Sequence, residues 1–189
     1  MVNQSNLLSQ GGFGCIYYPG IDCNGNNLKN KKFVSKLQVK NISSDNEIEI
    51  GNEIKKIKKY YQFFLPIIEN CPISANKISG NILSDCEPVQ EKNELVLMKM
   101  EYIDSLSFYK LLTNEKESSQ SIIKTMIDSY IYLLNSLKML GERNIVHYDL
   151  KHDNILFNKD TELPLVIDFG ISLNMNNLNF NRLHDLFYV

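Results

Sequence analysis

A short stretch in the second half of the chain concentrates side chains that suit phosphate chemistry. Residues 147–154 have the sequence His-Tyr-Asp-Leu-Lys-His-Asp-Asn, with an acid at Asp149, a cation at Lys151 and an amide at Asn154. Phosphoryl transfer needs a carboxylate for the acceptor hydroxyl, a cation near the γ-phosphate and an oxygen ligand for Mg²⁺. Asp168 begins the tripeptide Asp-Phe-Gly at the end of an apolar stretch and adds a second candidate metal ligand. The pattern favours phosphoryl transfer.

Two further signals lie near the N-terminus. Gly11, Gly12, Phe13 and Gly14 form a glycine-rich turn, and glycines let backbone N–H groups approach phosphate oxygens closely. The turn alone is a weak signal, because any tight hairpin favours glycine. Lys36 lies in an apolar stretch where a lysine is usually solvated. All four signals in this order nevertheless favour a phosphate site over four ordinary polar segments.

The first half of the chain is predicted to form strands and one helix. Period-two patterns predict strands over 6–10, 14–18 and 33–39, with an exposed polar loop over 21–32. Ser44 and Glu47 have the spacing of a helix capping box. The predicted helix carries an apolar stripe of Ile50, Ile54, Ile57 and Tyr61.

The rest of the chain becomes increasingly helical. One short strand is expected among the loops of 62–93, and a clear strand over 95–100 leads into a linker near 101–104. A short helix is predicted over 106–112, and a long, largely buried one over about 121–140, ending at Gly141. Short strands are predicted over 155–157 and 165–167. The predicted fold class is α+β.

The composition argues against two classes of protein, nucleic-acid binders and membrane proteins. The 189 residues are 43% hydrophobic and carry a net charge of −2, which removes the usual electrostatic case for a dedicated nucleic-acid binder. No apolar run approaches the roughly 20 residues of a membrane-spanning helix. We therefore expect an intracellular, cytoplasmic protein with neither a nucleic-acid nor a membrane partner.

The cysteines form no recognisable framework. Cys15, Cys23, Cys71 and Cys86 are unevenly spaced, and none of their spacings matches a zinc knuckle. We expect reduced thiols.

The four signals together resemble the signature set of the eukaryotic-type protein kinase family: a Gly-rich loop, a strand lysine, H-R-D-L-x-x-x-N and D-F-G. The resemblance runs from Leu8 to about Leu173. The N-terminal sequence and the bias towards Asn, Lys and Ile also resemble serine/threonine kinases of giant DNA viruses, for which the host cytoplasm or the virion would be the location.

The resemblance implies a two-lobe fold and a role for each matched residue. Residues 1–103 would form the N-lobe, with an antiparallel sheet and one helix, and 104–189 an incomplete helical C-lobe. Asp149 would be the catalytic base, Lys151 would meet the γ-phosphate, and Asn154 and Asp168 would bind Mg²⁺. The implied ATP-binding residues are Gly11, Gly12, Phe13, Gly14, Ile16, Lys36, Met100, Glu101 and Ile103, with either Glu47 or Glu53 paired to Lys36.

Three departures from the family pattern stand out. Ser9 occupies the position of the first loop glycine. Tyr148 replaces the arginine that grips a phosphorylated activation loop, so we expect no control by loop phosphorylation. The sequence ends 19 residues after Gly170, without the family's peptide-binding segment. We expect a fragment of a longer kinase rather than a reduced protein.

The leading functional hypothesis is a serine/threonine protein kinase that uses Mg-ATP and a protein substrate. Lys151 supports the serine/threonine class. One alternative is a small-molecule kinase of the aminoglycoside or choline type. The other is a non-catalytic, pseudokinase-like nucleotide-binding module.

Overall fold

The computed structural model describes residues 5–90, 92, 94–113 and 118–187. It contains two compact units: Met1–Ile48 with Ile67–Tyr102 (unit 1), and Glu49–Pro66 with Ile103–Val189 (unit 2). These bounds differ from the lobes expected at 1–103 and 104–189, since residues 49–66 group with the second unit. The lobe boundaries therefore stay a prediction.

Unit 1 is built on a five-stranded antiparallel sheet with strand order β1-β2-β3-β5-β4. The three N-terminal strands have the predicted bounds. The strands are β1 (Asn6–Gln10), β2 (Gly14–Tyr18), β3 (Phe33–Val39), β4 (Glu69–Ser74) and β5 (Glu94–Glu101).

One face of this sheet is covered by residues 75–90, which include the short helix α2 (Gly80–Ser84). Tyr17 and Leu37 are fully buried there, and the Tyr17 hydroxyl donates to the Ile82 carbonyl oxygen at 2.6 Å. Burial of that hydroxyl raises the pKa of Tyr17 to about 12. The predicted loops of 62–93 thus contain the expected strand, but also a covering layer for the sheet.

The expectation of reduced thiols is wrong. Disulfides join Cys15 to Cys86 and Cys23 to Cys71, and no cysteine of the described residues is free. The paired residues are 71 and 48 positions apart in sequence, so spacing along the chain did not reveal them. Cys15 points from β2 into the covered face, where Cys86 packs in the same apolar cluster.

The helix after β3, α1 (Ile42–Ile54), begins three residues earlier than an N-cap at Ser44 predicts. Its capping box joins Asn41 and Ser44: the Ser44 amide donates to Asn41 Oδ1 and the Asn41 amide donates to Ser44 Oγ, both at 3.0 Å. The predicted Ser44–Glu47 box is therefore wrong, because Asn41 already caps this end. The helix ends before Ile57 and Tyr61.

The described part of unit 2 contains two small sheets and several helices. Strand β6 pairs with β8, β8 pairs with β9, and β10 pairs with β7, all antiparallel. Strands β6, β7 and β10 were not predicted, since each is too short to show a periodic pattern. Helix α5 was not predicted either. The elements are β6 (Ser105–Ser107), α3 (Phe108–Leu112), α4 (Ser119–Gly141), β7 (Ile145–Val146), β8 (Ile155–Asn158), β9 (Leu163–Val166), β10 (Leu173–Asn174) and α5 (Phe180–Phe187).

Helix α4 begins two residues before and ends one residue after the predicted 121–140, and the expectation that it is largely buried is wrong. The core of unit 2 is formed with the C-terminal part of the helix, where Leu140 is buried beside Phe64, Val166 and Phe169. The face that packs inward also includes the buried Ser129 and Ser136. The predicted apolar stripe is mostly exposed at Ile123, Ile127, Tyr130 and Leu134.

Among the described residues, no helix combines the length and apolar character needed to cross a membrane.

Candidate active site

The glycine turn joins β1 and β2. The Gly11 amide donates to the Gly14 carbonyl oxygen at 2.9 Å, which closes the turn. A Cβ on Gly14 would lie 2.3 Å from the Leu37 carbonyl oxygen, so glycine is required there for packing on β3. A Cβ on Gly12 would meet nothing within 4 Å, and Phe13 is exposed at the tip. The backbone between Gly11 and Gly14 is therefore open to a ligand.

Both ends of the turn are attached to residues 86 and 87. Gln10 Nε2 donates to a Glu87 carboxylate oxygen at 3.3 Å, and the Glu87 amide donates to Gln10 Oε1 at 3.2 Å. The disulfide fixes Cys15, the residue after Gly14, to Cys86. These contacts limit how far the base of the turn can move. Sequence analysis missed them, because the partners are more than 70 residues apart.

Lys36 forms an ion pair with Glu47. The Lys36 Nζ lies 2.7 Å from Glu47 Oε2, and the two side chains are only 12% and 4% exposed. Ile16 is the residue opposite Lys36 on β2. Glu53, the other candidate partner, belongs to unit 2 and pairs with Lys56 at 2.6 Å. Helix α1 therefore presents Glu47 to the strand lysine.

The candidate adenine-binding residues lie at the end of β5. Met100 pairs with Val34 and Glu101 with Phe33, and the Tyr102 amide donates to the Lys32 carbonyl oxygen at 2.8 Å. Met100 is half-buried, while Glu101 is exposed at the strand end. Ile103 is half-buried and begins the second segment of unit 2, so it does not share a unit with Met100 and Glu101.

In unit 2, the loop after β7 brings three predicted residues together. Lys151 Nζ lies 2.8 Å from Asp149 Oδ2. The Asn154 amide donates to the same carboxylate oxygen at 3.0 Å and to the Asp149 carbonyl oxygen at 2.9 Å. Asn154 is buried, so it fixes the Asp149 carboxylate from the protein side. Lys151 reaches that carboxylate from a half-exposed position.

The electrostatics of this loop keep both charged groups ionised. The hydrogen bond from Lys151 lowers the pKa of the Asp149 carboxyl, with further lowering from Asn154. The same contact raises the pKa of Lys151. Asp149 is therefore a carboxylate at neutral pH and can accept a hydrogen bond from a hydroxyl.

His147 supports the loop from the buried side. Its Nε2 lies 3.0 Å from the Ile167 carbonyl oxygen, which can only accept, so Nε2 carries the hydrogen. Its Nδ1 accepts from the Asp149 amide at 3.4 Å. Burial lowers the pKa of His147, which favours this neutral form. Ser172 Oγ donates to the His147 carbonyl oxygen at 3.0 Å.

His147 and Ser172 are site residues that sequence analysis assigned no role. His147 begins the eight-residue stretch and could have been found from its position there. Ser172 gave no sequence signal, since its contact depends on the fold.

Asp168 adopts a left-handed backbone conformation, with φ of 61°. Such a conformation is unfavourable for a residue other than glycine and is concentrated at functional sites. Its negative charge acts on the same loop, because it raises the pKa of Lys151 and opposes the lowering at His147. The carboxylate therefore belongs to the cluster of charged groups around Asp149.

These residues fit a metal ion only in part. The Asn154 nitrogen donates to Asp149, which leaves the amide oxygen available as a ligand. In the described part of the chain, no group of three or more His, Cys, Asp or Glu side chains could hold a metal ion. Mg²⁺ is commonly bound by one or two protein ligands together with phosphate oxygens and waters. Asn154 and Asp168 fit that mode and not an all-protein cage.

The sequence of this chain is similar to those of known proteins. A family model described as "Protein kinase domain" matches residues 2–185. Aurora kinase of Yarrowia lipolytica is 29% identical over 169 residues, 88% of this chain and 38% of that protein. Serine/threonine-protein kinase nekl-2 of Caenorhabditis elegans is 25% identical over 174 residues, 88% of this chain and 43% of that protein. The chain thus spans less than half the length of these relatives.

A solved structure supports the fold independently. The autoinhibited serine kinase domain of the giant muscle protein titin matches with a TM-score of 0.62 and 17% sequence identity, covering 92% of this chain and 46% of that one. At this identity the likeness concerns the fold alone, and it confirms the predicted α+β, protein-kinase-like fold. Since the family model covers almost the whole sequence, the chain belongs to the protein kinase domain family.

Proposed function

We propose that the protein is a serine/threonine protein kinase, or the N-terminal part of one, that transfers the γ-phosphate of Mg-ATP to a protein hydroxyl. The observation that carries the proposal is the Asp149 carboxylate, held by Lys151 and Asn154 in an ionised state. A carboxylate fixed in this way can orient a hydroxyl for attack on a phosphoryl group.

The residues of unit 1 would bind the nucleotide. Gly11 closes the turn, and the open backbone of Gly12 and Phe13 can donate N–H groups to phosphate oxygens. Lys36, held by Glu47, can pair with the α- and β-phosphates. Ile16 and Met100 supply apolar surface for adenine. The backbone near Glu101 and Ile103 supplies hydrogen bonds to its edge.

The residues of unit 2 would carry the transfer. Asp149 orients the acceptor hydroxyl and takes its proton as the hydroxyl oxygen forms a bond to the γ-phosphorus, while the bond from that phosphorus to the bridging oxygen breaks and ADP leaves. Lys151 neutralises charge that develops on the transferred group. Asn154 and Asp168 would hold Mg²⁺, which neutralises the phosphate oxygens.

Two features support a protein acceptor with a serine or threonine hydroxyl. Lys151 lies two residues after Asp149, as it does in serine/threonine kinases that the sequence resembles. The curated relatives named above include a serine/threonine-protein kinase. A small-molecule kinase and a non-catalytic nucleotide-binding module are the alternatives that the experiment must separate.

The experiment measures transfer of labelled γ-phosphate from Mg-ATP by the purified chain to a basic protein, and in parallel to choline and an aminoglycoside. We expect phosphoserine or phosphothreonine on the protein acceptor. Asp149→Asn should reduce the rate by about 10²–10⁴-fold, the range for loss of a positioned acid–base group.

Asp153→Asn is the matched control. Asp153 lies in the same loop, its side chain is 69% exposed, and it contacts the neighbouring His152, so its replacement should leave the rate unchanged. Transfer to the small molecules alone would favour the first alternative. Equal rates for wild type and Asp149→Asn would contradict the proposal.

A further inference from the structure

An aromatic contact connects the loop of Asp149 to helix α5. The rings of Tyr148 and Phe187 have centroids 4.9 Å apart with an interplanar angle of 56°, a geometry within the favourable range for aromatic pairs. Tyr148 is adjacent in sequence to Asp149, and Phe187 is the last residue of α5. Phe187 therefore contacts the residue that directly precedes the proposed catalytic base in sequence.

Helix α5 uses its apolar face for packing. Leu183, Leu186 and Phe187 are half-buried, whereas His184 and Asp185 are exposed. The three apolar residues have the spacing of one helix face. Phe187 thus belongs to the half-buried face of α5.

The backbone of Tyr148 also depends on its surroundings. Its φ is 65°, which is unfavourable for a residue with a Cβ and persists where neighbouring contacts impose it. His147 on one side is held by Ser172 and Ile167, and Asp149 on the other by Asn154. The Tyr148 side chain is 62% exposed, so the Phe187 ring is a partner on an otherwise open side.

We propose that Phe187 is a positioning residue for the catalytic loop and acts through Tyr148. The inference rests on the proposed function, because it concerns the placement of Asp149. Tyr148 has no positive charge to pair with a phosphate, and the contact it makes with α5 is a ring contact. Loop and helix would then be coupled by packing, which needs no covalent modification.

The first test is a double-mutant cycle on phosphate transfer, with Tyr148→Ala, Phe187→Ala and both together. Aromatic pairs contribute amounts that correspond to about a two- to tenfold change in an equilibrium constant, so each single variant should lower kcat by about that factor. The KM for ATP should stay unchanged, and the double variant should be no slower than the slower single one. Phe187→Trp, which keeps an aromatic ring, should restore kcat.

Tyr130→Ala is the matched control, since Tyr130 is 63% exposed on α4. It should leave kcat unchanged. Multiplicative losses in the double variant would overturn the proposal, because they would show that the two rings act independently. A change in kcat for Tyr130→Ala of the same size would also overturn it.

A second test needs no activity. The chain has no tryptophan, so Phe187→Trp introduces a single fluorescent reporter. Tyr148→Ala in that background should increase quenching of the reporter by acrylamide, and Tyr130→Ala should not. Phe187→Ala should accelerate amide hydrogen exchange across 147–154, while the midpoint of thermal unfolding checks that the variant folds.

The two tests separate the proposals. Equal transfer by wild type and Asp149→Asn would contradict the kinase assignment, and the quenching and exchange measurements would still decide the Tyr148–Phe187 contact. Unchanged quenching without Tyr148, or unchanged exchange without Phe187, would overturn the positioning role even in an active kinase.

Discussion

Each unit contains one lysine–carboxylate pair among the predicted site residues, and the two pairs differ in their exposure to water. Lys36 and Glu47 in unit 1 are 12% and 4% exposed. Lys151 and Asp149 in unit 2 are 50% and 33% exposed. Removing one member of a buried ion pair leaves the other charge uncompensated and destabilises the fold, whereas an exposed pair contributes little to the free energy of unfolding. The first pair should therefore matter for folding as well as binding, and the second for chemistry.

The largest expected effect comes from breaking the buried pair. Glu47→Gln leaves the Lys36 ammonium without its carboxylate, and breaking a buried pair on one side typically costs about 3–5 kcal/mol in the free energy of unfolding. Denaturant unfolding measures this cost. Lys151→Met should leave the free energy of unfolding nearly unchanged, because the pair is exposed to water, while lowering phosphate transfer strongly.

Glu53→Gln is the control for Glu47→Gln, because Glu53 lies on the same helix and pairs with Lys56 at the surface. Its effect on unfolding should stay within about 0.5 kcal/mol. Equal losses of unfolding free energy for Glu47→Gln and Lys151→Met would contradict the difference that we expect between the buried and the exposed pair.

The next effect concerns the disulfides, which all lie in unit 1. A disulfide that closes a long loop typically contributes about 2–4 kcal/mol to stability. Cys86→Ser, or treatment with a reductant, should therefore lower the unfolding midpoint and accelerate amide exchange in unit 1. Exchange in unit 2 should change less.

A thiol titration of the native protein is the check on this prediction. Disulfides persist in oxidising compartments and are rare in the cytosol. Four reactive thiols after denaturation without reductant would contradict the disulfides and favour the expected intracellular location. No reactive thiol would support the two bonds.

A gain in stability is expected from Gln38, on β3 of unit 1. Its side chain is buried, and both its amide oxygen and its amide nitrogen lack a hydrogen-bond partner among the described residues. An unsatisfied buried polar group costs about 1–3 kcal/mol, so Gln38→Leu should raise the free energy of unfolding. Gln62→Leu, in a surface turn, is the control and should give no gain. A loss on Gln38→Leu would mean that the amide has a partner in solution.

The smallest effect is a pH dependence in unit 2. Burial holds the pKa of His147 below its ordinary value of 6.5, so the unfolded chain binds this proton more tightly than the folded one. Stability should therefore be retained above pH 6.5 and fall as the pH is lowered through that value and below. His147→Gln should flatten this slope of the unfolding free energy against pH. His152→Gln, at an exposed position, should leave it unchanged.

Much of the site was predictable because its residues are grouped by short motifs. Asp149, Lys151 and Asn154 lie within six residues, and the structure brings their side chains into contact. The N-terminal strands were predictable because a glycine-rich turn and a polar loop delimit them. Lys36 could be placed on a strand for the same reason, but its partner could not, since Glu47 and Glu53 both lie on the helix that follows.

The remaining features depend on contacts between distant segments. Cys15 meets Cys86, and Gln10 meets Glu87, only because residues 75–90 cover one face of the sheet. The apolar periodicity of α4 indicates a helix but does not say which face the rest of the chain covers. Partial exposure of its stripe, including Leu134 and Leu137, could be expected only from the resemblance, because the family's later helices cover this face and have no counterpart in the sequence. Strands of two or three residues, such as β7, carry no periodic signal.

The most direct test of the central claim is the stabilisation of this chain by Mg-ADP, measured by thermal unfolding beside Asp168→Asn and the control Asp153→Asn. A ligand at a hundred times its dissociation constant should add about 2.7 kcal/mol of stability, which raises the midpoint by a few degrees. We expect this shift for wild type and Asp153→Asn. It should be lost in Asp168→Asn and in the absence of Mg²⁺. A cooperative unfolding transition whose midpoint does not change with Mg-ADP would contradict the proposed nucleotide site.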